Sequence, residues 1–285
     1  MPYEPAWRRV PRRYRGFALL IVLWTLVLIA FIVAHVTAAG RSEVRIAGNL
    51  AANAASQAAA DGAIYQAIFN LSDPQPDRRW ALDGGAHQLR IGDSVVTVTV
   101  EDEAGRINPN LASVALMEGL LRAAGDDSET AGDLAGAIAE WVGSAQVLRQ
   151  PDQLTAEYRA AGLDYAPPGA PLESLDELGR VRGMPARLLD ALQPHLTLFG
   201  PAEPNAAAAD PVVAMAITLA NRSTLATGAG QTPGAANAPG DIVTARIRAN
   251  AQGPANARVT RVAIARIGPF TSQGYTLLAW DNGIE

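Results

Sequence analysis

From Phe17 to Ala39 the chain reads FALLIVLWTLVLIAFIVAHVTAA, with no carboxylate and no arginine. At 1.5 Å per residue a helix of that length covers about 34 Å, enough to cross the roughly 30 Å hydrocarbon core of a bilayer. A transmembrane helix over residues 17–39 is therefore expected, and it commits the rest of the chain to one side of a membrane. Arg8, Arg9, Arg12, Arg13 and Arg15 precede the run with only Glu4 among them, whereas Arg41, Glu43 and Arg45 follow with mixed sign. Positive charge flanking a span stays in the cytoplasm, which orients the N-terminus inward and everything after Ala39 outward. A cleaved secretory signal competes with this reading, but its apolar core usually runs about 7 to 15 residues, and Val36 to Gly40 is a weak small-residue cleavage site. An ordinary uncleaved signal anchor fits the same residues.

The part beyond the span is acidic. Of 23 basic and 28 acidic residues, removing the leader's five arginines and one glutamate leaves 18 and 27, a charge of about −9. Such a body is a poor general ligand for nucleic acid, whose phosphates attract cations. Every basic residue is arginine and there is no cysteine. Those absences remove a phosphate-loop lysine, a Schiff-base nucleophile, thiol catalysis, a zinc–thiolate site and a disulfide framework. His35 lies within the apolar run, and neither His87 nor His195 stands beside anything resembling a nucleophile elbow. Carboxylates such as Asp152 and Glu157 serve acid–base chemistry only at a suitable separation and environment. The expected class is not an enzyme.

The domain organisation follows from pattern. Residues 1–16 form a basic leader and 17–39 the span. Residues 40–107 hold a continuation of the helix and the first strands: alanine-rich sequence with Val44, Ile46, Leu50, Ile64, Ile68 and Leu71 suits a helix packed by one stripe. Asp73 to Pro76 break it, and a polar loop is expected up to Gln88. LRIGDSVVTVTV, from Leu89 to Val100, reads as a hairpin turning at Gly92 and Asp93. Residues 108–198 read as an inserted α-helical domain, with segments at Leu111–Ala124, Thr130–Trp141, Gln153–Ala161, Ser174–Val181 and Pro185–His195. Ser174 and Glu177 stand at capping-box spacing. Residues 199–240 read as an Ala/Pro/Gly-rich connector with a short helix near Val212–Leu219. Residues 241–285 return to strand character at Asp241–Ala249, Arg258–Ile267 and Gly274–Trp280. The expected fold class is α+β, a long N-terminal transmembrane helix packed on an antiparallel sheet that is completed by residues distant in sequence.

The junction Arg15, Gly16, Phe17, Ala18, Leu19, Leu20 resembles the processing site of prepilins and pseudopilins. The resemblance implies that a prepilin peptidase cuts after Gly16, that Phe17 becomes a methylated N-terminus, and that Ile21 takes the fifth mature position. Most members of that superfamily carry glutamate there, where its charge can pair with the amino terminus of an adjacent subunit and offset the cost of burial in membrane. Ile21 cannot make that pair, which suits a subunit at the end of a filament. Glu101 to Asn110 (EDEAGRINPN), Pro171 to Met184 (PLESLDELGRVRGM) and the Pro204–Asn205–Ala206 turn also resemble segments of the minor pseudopilin K family of type II secretion systems, whose pilin-like body is split by a large helical insertion. Membership implies a single-pass protein of the bacterial inner membrane with a periplasmic main domain. Its partners would be the I and J minor pseudopilins and the prepilin peptidase, with no nucleic acid. A related type IV pilus system fits the same features.

The helical domain of that family is associated with calcium, and the closely spaced aspartates often found in it are replaced here by Trp141, Val142, Gly143, Ser144 and Ala145. Calcium needs about six to eight oxygen ligands; Asp126, Asp127, Glu129, Asp152 and Glu157 could supply some, without a recognisable spacing. No cofactor is otherwise expected. The alternative function is a membrane-anchored periplasmic DNA-binding protein: Leu175 to Leu196 resembles a helix-hairpin-helix, with Arg180, Arg182 and Arg187 near Gly183. Glu173, Asp176, Glu177 and Asp190 surround those arginines and oppose phosphate binding.

Overall fold

The computed structural model describes residues 15–144, 151–227, 242–268 and 274–282; the basic leader up to Tyr14 and most of the expected connector after Thr227 lie outside them. Helix α1 (Arg15–Leu71) spans 57 residues, about 86 Å at the standard rise. Its first part, Phe17–Thr37, is long and apolar enough to cross a membrane and is covered by none of the other described residues. Its two threonines are turned back on the helix. Thr25 donates to the carbonyls of Ile21 and Val22 at 3.1 and 2.9 Å, and Thr37 donates to that of Val33 at 2.7 Å, so neither hydroxyl asks for water in the bilayer.

The second half of α1 becomes the spine of a domain. Ala59, Ala60, Ala63, Ile64, Ala67 and Ile68 are buried, spaced at three and four residues so that one helical stripe faces the sheet. Alanine keeps that stripe shallow, and the strands approach closely. Five strands follow in the spatial order of the chain, all antiparallel: β1 (Asp83–Ile91), β2 (Ser94–Asp102), β3 (Val243–Gln252), β4 (Arg258–Ile267) and β5 (Tyr275–Asn282). Val96, Val98 and Val100, with Ala245, Ile247 and Ala249, are fully buried against α1, the period-two alternation of a half-covered sheet. The β1–β2 turn falls at Gly92 and Asp93, where Gly92 takes φ +58, a conformation that favours glycine. Strand β1 starts at Asp83, not after the expected loop to Gln88. Asp83, Gly84 and Gly85 disguise its beginning, which carries a bulge.

Between β2 and β3 the chain leaves the sheet for a helical body: α2 (Val114–Ala123), α3 (Ser128–Trp141), α4 (Pro151–Ala160), α5 (Ala186–Leu192) and α6 (Pro211–Thr227), with a 3-10 stretch at Leu175–Arg180. Starts are set by caps. Ser113 accepts from the Leu116 amide, Asp127 from those of Glu129 and Thr130, and the Ser174–Glu177 capping box is present. Helix α6 contains the short helix expected near Val212–Leu219 and extends it to 17 residues within the expected connector. Asp210 accepts from the amides of Val212 and Val213, Pro211 suits the first turn, and Val213, Ala216 and Ala220 pack into the helical core. At Gly119 of α2 an added Cβ would strike the carbonyl of Ala216, so the two helices meet backbone to backbone. This core, with Leu120, Leu121, Ile138, Tyr158, Leu178 and Leu192 deeply buried, is separate from the one beneath the sheet.

Candidate functional site

The two cores are joined where β2 hands the chain to the helices, within the segment Glu101–Asn110. Asp102 accepts from the Ala104 amide and turns the chain into one 3-10 turn, Glu103–Gly105. That turn places the Glu103 side chain completely out of solvent, where an unpaired carboxylate would cost several kcal/mol, on the order of the desolvation penalty of a buried ion. It is not unpaired. Arg246 of β3 donates to both its oxygens, Nε to Oε2 at 2.8 Å and Nη2 to Oε1 at 2.6 Å, and the Thr197 hydroxyl donates to Oε1 at 2.6 Å. Burial alone would lower the Arg246 pKa; the hydrogen bond and charge of Glu103, with a contribution from Glu101, overcome it and raise the pKa. Arg106 adds a second clasp, donating to Glu101 Oε2 at 2.7 Å and to the Pro194 carbonyl at 2.6 Å.

Backbone pairing carries the same connection. Ile107 and Leu196 form a parallel bridge, with the Ile107 amide donating to His195 at 3.0 Å and the Thr197 amide to Ile107 at 2.9 Å. The chain thus enters and leaves this helical body side by side. Asn108 donates to the carbonyls of Leu198 and Gly200 at 3.3 and 2.9 Å. Asn110 takes the place of a peptide group toward Leu172, giving a hydrogen bond at 3.1 Å and accepting one at 2.7 Å. The Pro204–Asn205–Ala206 turn closes on the same spot: the Asn205 amide donates to the Ala104 carbonyl at 2.7 Å, and a Cβ on Gly105 would strike the carbonyl of Ala208. His195 Nδ1 and Asp210 Oδ2 lie 2.7 Å apart, tying the end of the insertion to the cap of α6. Burial raises the Asp210 pKa, but the bonds from His195, Val213 and Val212 outweigh it and hold the carboxyl below its ordinary value. This arrangement fixes the orientation of one domain on another.

The sequence-derived processing positions lie far away, at the start of α1. Gly16 and Phe17 sit in its first turns, and Phe17 and Ile21 are both exposed on the uncovered apolar surface. The five carboxylates considered for calcium do not converge: Asp127 is a helix cap whose carboxyl is held below its ordinary value chiefly by the Thr130 amide and hydroxyl, and Glu157 pairs with Arg182 at 3.0 Å. Among the described residues no three histidine or acidic side chains form a group able to hold a metal ion. In the hairpin-like stretch, Leu178, Val181, Leu188 and Leu192 are committed to the core and Gly183 takes φ +87. Arg182 is held by Glu157, while its guanidinium lies 5.9 Å from the Tyr158 ring centroid; Arg180 and Arg187 are exposed. Sequence reading singled out Glu101–Asn110 and Asn205 but not the Glu103–Arg246 or His195–Asp210 pairs. Their partners are 143 and 15 residues apart, beyond any local spacing rule.

A membrane-length helix continuing as the spine of an antiparallel sheet, with a helical body spliced between β2 and β3, defines a pilin-like α+β fold with an N-terminal apolar helix. Residues 94–201 match the family model described as Type II secretion system (T2SS), protein K. That match begins at the first residue of β2 and runs through α2 to α5 to the Gly200 side of the junction, so this segment is similar to protein K of type II secretion systems. In fold it resembles a chain from the crystal structure of the GspK-GspI-GspJ complex of the enterotoxigenic Escherichia coli type 2 secretion system. The TM-score is 0.55 at 16% identity, covering 86% of this chain and 99% of that one. No curated protein matches the sequence.

Proposed function

We propose that this chain is a minor pseudopilin that caps a short periplasmic filament of a type II secretion system and supports protein export across the outer membrane. The observation that carries this reading is the splice itself: a protein K segment, residues 94–201, joined through Glu103 and Arg246 to a sheet built on an apolar anchor helix. The arginines before the span support a cytoplasmic N-terminus and a periplasmic folded body. Ile21 supports the end position, because it offers no charge to a subunit stacked beside it. The complex in which the similar fold was solved supports I and J minor pseudopilins of the same system as partners. The work is assembly, and the junction serves it by presenting the helical body at a fixed angle to the anchor.

The test is co-expression of the full chain with the I and J pseudopilins of its own system, followed by detergent extraction and size-exclusion chromatography. A stoichiometric ternary complex is expected, together with loss of secretion on deletion of this chain. Normal secretion in the deletion strain, with no complex recovered, would overturn the proposal.

A further inference from the structure

The sheet has two faces, and only one is covered by α1. Because Val98, Ile247 and Ala263 point toward the helix, the alternate residues point away. On that outer face Arg90 of β1, Arg248 of β3, and Arg258 and Arg266 of β4 are all exposed. Among the described residues none of the four forms a salt bridge, whereas the neighbouring Arg246 and Arg106 are held by Glu103 and Glu101. This is unusual for a chain with more carboxylates than arginines. Two carboxylates share the face, Glu101 of β2, which pairs with Arg106, and Asp281 of β5, opposite Val262; most of the others are elsewhere, residues 108–198 holding 13 acidic against 6 basic residues, while 241–285 hold 3 against 5.

Edge protection accounts for a charge such as Arg90 on an outermost strand. It does not account for Arg248 on the central strand, or for Arg258 and Arg266 one strand in from the edge. Like charges on one sheet face repel, and among the described residues no carboxylate pairs with these four. The register spreads them over the whole face. Arg90 stands opposite Val95 and Arg258 opposite Gln252 at one end; Arg248 stands opposite Thr99 and Val262 in the middle, and Arg266 opposite Thr244 at the far end. Along β3 the positions of Gln252, Arg248 and Thr244 are about 13 Å apart.

We infer that this outer sheet face is a docking surface for a carboxylate-rich protein surface. A planar, always-charged guanidinium pairs with carboxylates in a forked geometry, and the arginines stand among polar Thr97, Thr99 and Asn250, with Val95 and Val262 apart from each other on β2 and β4. An anionic membrane surface is the other source of such charge. The Pro254–Ala255 turn beside Arg258 lies against Val44 and Asn49 of α1 and is the end nearer the span, but Arg266 stands eight strand residues further along, about 26 Å. That exceeds the screening length of roughly 8 Å at physiological salt, so a bilayer at one end does not reach the whole face. The inference concerns a surface the function proposed above does not use, and stands on charge geometry alone.

The experiment uses the full chain in neutral detergent and a fluorescein-labelled poly-L-glutamate peptide of about 20 residues, long enough to cross the face, followed by anisotropy. Binding is expected to weaken at least about tenfold between 50 and 300 mM sodium chloride. It is expected to fall by a similar factor in R90Q/R248Q/R258Q/R266Q, and to stay at the wild-type level in R180Q/R187Q, which removes exposed arginines of the helical body. R248Q/R266Q repeats the test with a smaller loss should the fourfold variant unfold. Absence of binding, or equal binding by wild type and both outer-face variants, overturns the inference and, in the second case, assigns the affinity to the leader arginines. Arginine-dependent binding that is tighter to phosphatidylglycerol vesicles, or arginine-dependent self-association in sedimentation velocity without peptide, overturns it in favour of a lipid or a second copy.

Discussion

Arg246 holds both oxygens of the fully buried Glu103 carboxylate, at 2.8 and 2.6 Å, across the seam between the sheet and the helical body. Because the pair is desolvated, breaking it from one side leaves a buried charge without its counter-ion. Glu103→Gln is expected to destabilise the chain by about 3 kcal/mol, read as a shift in the urea midpoint in detergent. The double change E103L/R246M, which removes both charges, is expected to recover part of that loss. A single variant that unfolds at the wild-type midpoint would show that the seam is held by its backbone pairing alone.

The His195–Asp210 pair makes a separate prediction about acid. The Asp210 carboxyl titrates below its ordinary value of 3.8 in the folded chain. A depressed carboxyl contributes stability that is present above the unfolded pKa and disappears as pH falls through the folded one. Wild type is therefore expected to melt above Asp210→Asn at pH 6, with the gap narrowing only below about pH 3.8. Thermal melts from pH 6 to pH 2 check this. A gap that closed well above that range would assign the effect to another group.

Where α2 crosses α6, Gly119 meets the Ala216 backbone with no room for a side chain. Gly119→Val is expected to force the helices apart at a cost of about 1–3 kcal/mol, typical of overpacking. Hydrogen exchange should accelerate in residues 211–220 while the strands keep their protection. Uniform acceleration would mean that the two cores do not loosen independently.

At the membrane end, the Gly16–Phe17 junction predicts a peptidase-dependent N-terminus. Intact mass and N-terminal sequencing of the extracted protein are expected to give a methylated Phe17 when the cognate prepilin peptidase is present, and the uncut chain when it is deleted. A cut near Gly40 in both strains would instead make the apolar run an ordinary secretory signal.

Local rules carried the reading of the elements well. The alternation of Val96, Val98 and Val100 and the Gly92–Asp93 turn are visible as a hairpin because they repeat within a few residues, and Ser174 with Glu177 marks a start by the spacing of its own hydrogen bonds. Composition misled in two places. Alanine and proline around Asp210 suggested a connector with only a short helix near Val212–Leu219, although the cap and Pro211 open one of 17 residues; the glycines after Asp83 hid the start of an edge strand. The seam was legible as a segment, Glu101–Asn110, but not as chemistry, since a carboxylate and its arginine separated by 143 residues have no period to betray them.

That separation bears on how the molecule comes together in time. Strands β2 and β3 are neighbours, yet about 140 residues lie between them, and closing a flexible loop of that size costs about 4 kcal/mol in chain entropy before any pairing is gained. The parallel bridge between Ile107 and Leu196 changes the problem. Once the helices have packed and α6 has seated on α2, the unclosed stretch shrinks to the roughly 16 residues between Thr227 and Val243, cutting the entropic cost by about 2 kcal/mol. The insertion thereby lowers the entropic cost of completing the sheet: a helical body that packs before the strands pair brings β3 within a short span of β2.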